Sequence, residues 1–180
     1  MERSKIIQLL ESVYSKADYN YLFIKAEEDP AFFYAIWKLS EEMPAEKAWR
    51  LLWILDHATE KNKRSLLPIL GDLYPKVLSA RHEGYVRIGM KLILRCPLLE
   101  DYIPEFLERC IEWIQNPKAK ISSQTLGLEF FYQVCRMYPE MAPELLAYID
   151  DILERDPSPG FRVRLKAVRK ELNHRSEPLE

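Results

Sequence analysis

Three cations spaced four residues apart are the first feature of the sequence that could bind a ligand. Arg87, Lys91 and Arg95 fall in one segment with apolar residues at helical spacing, so a helix there would carry all three on one face. Residues 61–120 are locally basic, with 11 Lys and Arg against 7 Asp and Glu. The pattern predicts either a solvated helix face or a binding surface for an anionic partner.

A second cluster combines aromatic and titratable side chains. Trp49, Trp53, Asp56 and His57 fall in one apolar segment, and Trp53 is three residues from Asp56 and four from His57. Side chains at these spacings meet on a helix surface. The cluster predicts either a core tryptophan with an Asp–His pair at the helix end, or a site with a carboxylate beside an aromatic wall.

Both clusters lie in a repeat of two helices with a period of about 38 residues. The glycine of VRIGMKLIL, Gly89, aligns with the glycine of QTLGLEFFY, Gly127. The other aligned positions are Arg50, Arg87, Thr125 and Arg164 in the second helices, and Pro68, Pro104 and Pro143 in the first helices. A period near 40 residues built from two helices is typical of helical solenoids.

The repeat resembles the HEAT family, with an early proline in the first helix and Val-Arg at the start of the second. The resemblance covers roughly residues 30–173 and extends to small single-chain bacterial HEAT-like proteins. The matching runs are AWRLLWILDHATEKN, HEGYVRIGMKLIL and GFRVRLKAVRKEL. It implies an all-α fold, a right-handed α-α superhelix of about five HEAT-like helix pairs.

We predict a single HEAT-like solenoid domain over 1–180, with 1–28 as an N-terminal capping helix pair and 174–180 as a frayed tail. Asp29 and Pro30 form a helix start signal. The predicted helices are 4–14, 18–28, 30–42, one from Pro44 to the break at 59–63, 64–78, 83–96, 101–115, 119–137, 141–155 and 160–173. Register along the repeats predicts burial at corresponding places for Ile88, Leu92, Leu126 and Phe130.

Composition excludes several classes of protein. The 180 residues are 48% hydrophobic with only 5 Gly, and the net charge of −2 gives no overall bias toward nucleic acid or an anionic membrane. No apolar run approaches the roughly 20 residues that span a bilayer, and the N-terminus lacks a signal-peptide pattern. Three cysteines in apolar helices predict buried, reduced thiols. We therefore expect a soluble, cytoplasmic protein.

The function favoured by the sequence is a non-enzymatic scaffold or adaptor that binds a protein or peptide, possibly an anionic one, in the concave groove of the second helices. The groove candidates are Arg50, Trp53, Asp56, His57, Arg87, Lys91, Arg95 and Glu129. No catalytic residue, metal site or cofactor is predicted, since no Walker loop, GxGxxG, HExxH or Cys-x-x-Cys motif occurs.

If the basic stripe is the binding surface, its three cations should be exposed in the groove and without full carboxylate partners. The alignment makes Glu129, in the next repeat, the expected neutraliser of Lys91 if the stripe is only a solvated face. If the three cations are unpaired in the groove, replacing all three by Ala should weaken capture of the partner and leave thermal stability nearly unchanged.

The alternative is a nucleic-acid-binding protein. Trp53 beside Asp56 on a helical-repeat wall resembles HEAT-like alkylpurine DNA glycosylases, in which such a carboxylate serves the excision of a damaged base. The weak basic character of the chain makes nucleic acid the less favoured partner. Some of the small HEAT-like proteins carry an adenylosuccinate lyase label, but Ser122-Ser123 is followed by Gln124-Thr125 and not by that enzyme's signature loop.

Overall fold

The computed structural model describes residues 6–8, 15–60 and 63–176. Within those ranges the chain is helical with short connections and contains no strand, which confirms the all-α prediction. The α-helices are α1 Lys16–Glu28, α2 Pro30–Glu42, α3 Ala45–Ala58, α4 Leu70–Ser79, α5 Glu83–Leu94, α6 Ile103–Gln115, α7 Ile121–Met137, α8 Ala142–Glu154 and α9 Pro159–Ser176. The predicted helix 4–14 lies outside the described residues apart from 6–8.

The chain forms two compact units, Met1–Pro97 and Leu98–Glu180. In the first unit α2 pairs with α3, α4 pairs with α5, and α3 also packs against α1 and α5. In the second unit α6 pairs with α7, α8 pairs with α9, and α7 packs against both α8 and α9. The single domain over 1–180, its capping pair and the handedness of the superhelix stay predictions.

The start of α2 follows directly from its sequence. The Asp29 carboxylate accepts hydrogen bonds from the backbone N–H groups of Ala31, at 2.9 Å, and Phe32, at 3.1 Å. Pro30 occupies the first turn, where its missing N–H leaves no bond unmade. The predicted start signal is confirmed.

The segment before α4 departs from the predicted helix 64–78. Residues Lys63–Ile69 form a 3₁₀-helix, and the α-helix begins only at Leu70. Pro68 has no N–H for an α-helical hydrogen bond, and it disfavours the α conformation of Leu67 before it. The aligned prolines Pro104 and Pro143 instead stand in the first turn of α6 and α8, where proline is tolerated.

The two aligned glycines lie where the helices of a pair approach most closely. A Cβ atom on Gly89 of α5 would overlap the Cγ2 methyl of Val77 in α4. A Cβ on Gly127 of α7 would lie 2.9 Å from the carbonyl oxygen of Cys110 in α6. The glycines are therefore packing positions that allow close helix contact.

Replacing either glycine with alanine is expected to lower the free energy of unfolding. Alanine is favoured in a helix by about 1 kcal/mol, but overpacking costs about 1–3 kcal/mol. Gly71→Ala and Gly160→Ala are matched controls, since nothing lies within 4 Å of a Cβ at either position. Urea denaturation checks the prediction, and equal midpoints for Gly89→Ala and Gly71→Ala would contradict it.

The core confirms three of the four predicted positions. Ile88, Leu92 and Phe130 are buried, but Leu126 is only partly buried, so that prediction was wrong. Leu126 lies about 100° around α7 from Gly127, which is near the middle of the buried face. Ile88 occupies the same angular position on α5, but this side of α5 packs against α3 and Ile88 is buried.

The three cysteines are buried and free, as predicted. Burial raises the pKa of each thiol, and that of Cys135 rises to about 12. The raised pKa disfavours the reactive thiolate form. Among the described residues, no helix is both long and apolar enough to cross a membrane.

Candidate binding site

Helices α3 and α5 position the candidate residues of the first unit. Each helix buries one apolar face against its own pair partner, and the two helices also pack against each other. Asp56 near the end of α3 and Lys91 near the end of α5 are separated by 35 residues, close to one repeat. Equivalent helices of neighbouring repeats thus bring the two sequence clusters together.

The centre of the site is a buried carboxylate with two cations. The side chain of Asp56 is only 2% exposed. Lys91 Nζ donates a hydrogen bond to its Oδ2 at 2.8 Å, and Arg95 Nη2 lies 2.6 Å from its Oδ1. The Arg95 contact is ionic and not a well-aligned hydrogen bond, since Oδ1 has no hydrogen-bond partner of good geometry. Pairing with both cations compensates the cost of burying the charge.

Arg95 also ties the end of α3 to α5. Its Nη1 donates to the backbone carbonyl of Asp56 and, at 2.8 Å, to the hydroxyl of Thr59. These bonds satisfy polar groups at the C-terminus of α3, where the last carbonyls have no partner within the helix. Arg95 is therefore a structural residue, with only 23% of its side chain exposed.

Of the three cations in the basic stripe, only Arg87 is exposed and without a carboxylate partner in the described structure, as expected of a binding surface. Lys91 and Arg95 are paired with Asp56, so neither of them is an unpartnered cation. Arg87 is exposed and has no ion-pair partner among the residues that the structure describes.

Glu129 and Lys91 lie in different units, and their pairing stays a prediction. Within its own unit Glu129 accepts a hydrogen bond from Arg164 of α9, and this pair also spans 35 residues. Each unit thus has an acid on one second helix paired with a base on the next second helix. The sequence signal for both pairs was an acid and a base one repeat apart.

A pocket of about 250 Å³ opens beside the buried carboxylate. It is lined by Trp49, Trp53, Asp56, His57, Arg87, Ile88 and Lys91. Trp49 and Trp53 are partly exposed there, and Ile88 adds an apolar wall. The structure therefore brings together five of the eight predicted groove residues, while Arg50, Arg95 and Glu129 do not line this pocket.

Aromatic contacts hold the wall of the pocket in place. Trp53 makes edge-to-face contacts with Tyr19 and Phe23 of α1, with ring centroids 4.9 and 5.2 Å apart, and with His57 at 5.3 Å. Phe23 also stacks on His57 at 4.2 Å. Such pairs stabilise the packing by about 0.5–1.5 kcal/mol each beyond burial. Sequence reasoning missed Tyr19 and Phe23, although their spacing of four residues puts them on one helix face.

The predicted Asp–His pair does not form. His57 Nδ1 lies 3.2 Å from a Glu60 carboxylate oxygen, whereas Asp56 pairs across to α5. Arg50 lies over the ring of Trp49 with its guanidinium carbon 5.7 Å from the ring centroid. It adds a further exposed cation next to the aromatic wall.

Comparison with known proteins places the chain in a class of helical repeat proteins. A family model for the HEAT repeat domain matches residues 6–172. The chain therefore belongs to the HEAT repeat family, and the predicted HEAT-like fold is confirmed. Neither a curated protein nor a solved structure shows significant similarity to it.

Proposed function

We propose that this helical repeat protein is a non-enzymatic scaffold or adaptor that binds a protein or peptide at the pocket between α3 and α5. The observation that carries the proposal is Arg87, an exposed cation without a partner in the described part of the chain, on a pocket walled by Trp49 and Trp53. Tryptophan and arginine are the residues that most often dominate binding energy at protein interfaces.

The charge of the pocket favours an anionic segment of the partner. Lys91 and Arg95 contact the Asp56 carboxylate, and Arg87 lines the same pocket as that carboxylate. Lys91 and Arg95 together outweigh the charge of the Asp56 carboxylate, and Arg87 adds a cation without an ion-pair partner in the described part of the chain. A carboxylate on the partner would give this guanidinium a charge-assisted, bidentate hydrogen bond.

The test is selection from a library of soluble dodecapeptides with free C-termini, followed by fluorescence anisotropy on the selected peptides. Arg87→Glu is expected to weaken binding at least tenfold, because it reverses the charge that faces the peptide. Arg81→Glu is the matched control, since Arg81 is an exposed arginine of the same unit outside the pocket. Equal weakening by both variants would mean that only general electrostatic attraction is measured, and the proposal would fail.

A second candidate is nucleic acid, favoured by one observation. The Asp56 carboxylate and Trp53 line the same pocket, which is the arrangement that resembles the alkylpurine DNA glycosylases. However, a carboxylate that is 2% exposed and held by two cations is poorly placed to reach a substrate.

Oligonucleotides distinguish the two functions. Tight binding of a labelled DNA duplex with a steep salt dependence, lost in Arg87→Glu, would favour the second candidate. Release of an alkylated base that is abolished by Asp56→Asn would establish it. Peptide binding without either result supports the scaffold.

A further inference from the structure

We infer that the pocket between α3 and α5 takes the C-terminal residue of a partner chain, with an apolar side chain against Trp49 and Trp53 and the terminal carboxylate on Arg87. This inference rests on the proposed function and specifies its ligand. It follows from the size of the pocket, the charge of its lining and the position of the unpaired cation.

The volume of the pocket points to a small ligand group such as one side chain. At about 250 Å³ it is smaller than the 300–1,000 Å³ typical of sites for drug-sized molecules. Its two partly exposed tryptophans, Trp49 and Trp53, offer an apolar surface that fits a side chain such as Phe or Leu. Tryptophan supplies a large and rigid contact area for such a side chain.

The charge of the lining excludes a cationic ligand. Two tryptophans with a nearby carboxylate are the composition of an aromatic cage for a methylated ammonium group. Here Lys91 and Arg95 neutralise that carboxylate, and Arg87 adds a further positive charge. An ammonium group would therefore meet net repulsion, whereas an anion would be attracted.

A C-terminal residue carries an apolar side chain and a carboxylate close together, which are the two groups that the pocket requires. Arg87 lines the same small pocket as the tryptophans, so the anion and the apolar group must belong to nearly the same part of the ligand. The C-terminal residue of a protein carries both on one Cα atom. An internal residue has an apolar side chain but no carboxylate of its own.

The test uses three acetylated peptides and the indole N–H signals of the ¹⁵N-labelled protein. The probes are acetyl-Gly-Ser-Gly-Phe with a free carboxylate, the same peptide as a C-terminal amide, and acetyl-Gly-Ser-Gly-Gly with a free carboxylate. Trp49→Phe and Trp53→Phe variants assign the two indole signals. We expect the Phe acid to shift both signals and to bind about tenfold tighter than either other peptide.

Substitutions at Arg87 and at the control position Arg81 test whether the peptide carboxylate binds Arg87. Arg87→Met should reduce affinity for the Phe acid to that of the amide, whereas Arg81→Met should leave it unchanged. Circular dichroism of both variants checks that the helices are intact. Because Arg87 is exposed and has no ion-pair partner among the described residues, its replacement breaks no described ion pair.

The outcomes separate this inference from the proposed function. Equal affinity for the Phe acid and its amide overturns the inference, as does a lack of effect of Arg87→Met. If library peptides depend on Arg87 but bind through an internal acidic residue, the inference fails and the proposed function stands. If neither the probes nor any library peptide binds, both fail.

Discussion

Replacing Arg95 with methionine is expected to lower the free energy of unfolding by about 3 kcal/mol. Removing one partner of a buried ion pair costs about 3–5 kcal/mol, because the other charge stays buried without compensation. The lower end applies here, because Lys91 still contacts the Asp56 carboxylate. The substitution also removes the donor to the Thr59 hydroxyl. Urea denaturation followed by circular dichroism measures the loss.

Two further variants isolate the ionic contribution. Lys91→Met should cost less than Arg95→Met, since the lysine side chain is 44% exposed against 23% for the arginine. The double variant Asp56→Leu with Arg95→Met removes both charges and should be more stable than Arg95→Met alone. If Arg95→Met is no less stable than the Arg81→Met control, the cluster has no structural role.

This expectation replaces the one drawn from the sequence. The sequence predicted that removal of the three cations would leave stability nearly unchanged if they were unpaired in the groove. With Lys91 and Arg95 bound to a buried Asp56, replacing all three by Ala should destabilise the first unit. A loss of partner capture by that triple variant would therefore not identify the binding surface, whereas the single change at Arg87 can.

Replacing Phe130 with alanine is expected to lower the free energy of unfolding of the second unit by about 3–5 kcal/mol. The side chain is fully buried and stacks on Phe106, with ring centroids 5.5 Å apart. Truncation removes these contacts and leaves a cavity between α6 and α7, because interiors relax only partly.

The control for Phe130→Ala is Ile121→Ala on the same helix. Ile121 is 50% exposed, so its truncation should change stability by no more than about 0.5 kcal/mol. Thermal and urea denaturation of the two variants give the comparison. A small effect at Phe130 would show that the packing position repeated along the chain is not a core position.

Local patterns in the sequence predicted the helices and the packing positions well. The prolines, the Asp29 start signal and the alignment of Gly89 with Gly127 depend on contacts within one helix pair. Such contacts depend on a few neighbouring residues, and the glycine contact occurs in both units, so local patterns reveal them. Leu126 was predicted wrongly because burial on the flank of a helix depends on its neighbour and not on its own pattern.

The ion pairs were harder to predict because they do not join aligned positions of neighbouring repeats. Aligned positions are about 38 residues apart, but the acid–base pairs Asp56–Lys91 and Glu129–Arg164 span 35. The difference is about one helical turn, which long cationic side chains bridge. The Trp53 wall of the pocket also packs on Tyr19 and Phe23 of α1, a helix that precedes the repeats predicted from the sequence.

The ion pairs between neighbouring repeats restrict where residues can be inserted in such a chain. One residue inserted in α5 ahead of Lys91 would turn the rest of the helix by about 100° and point the ammonium group away from Asp56. The same insertion between α4 and α5, at residues 80–82, leaves the phase of α5 intact. Insertions and deletions in this chain are thus expected only in its connections, while the helices that carry each ion pair keep a fixed number of residues.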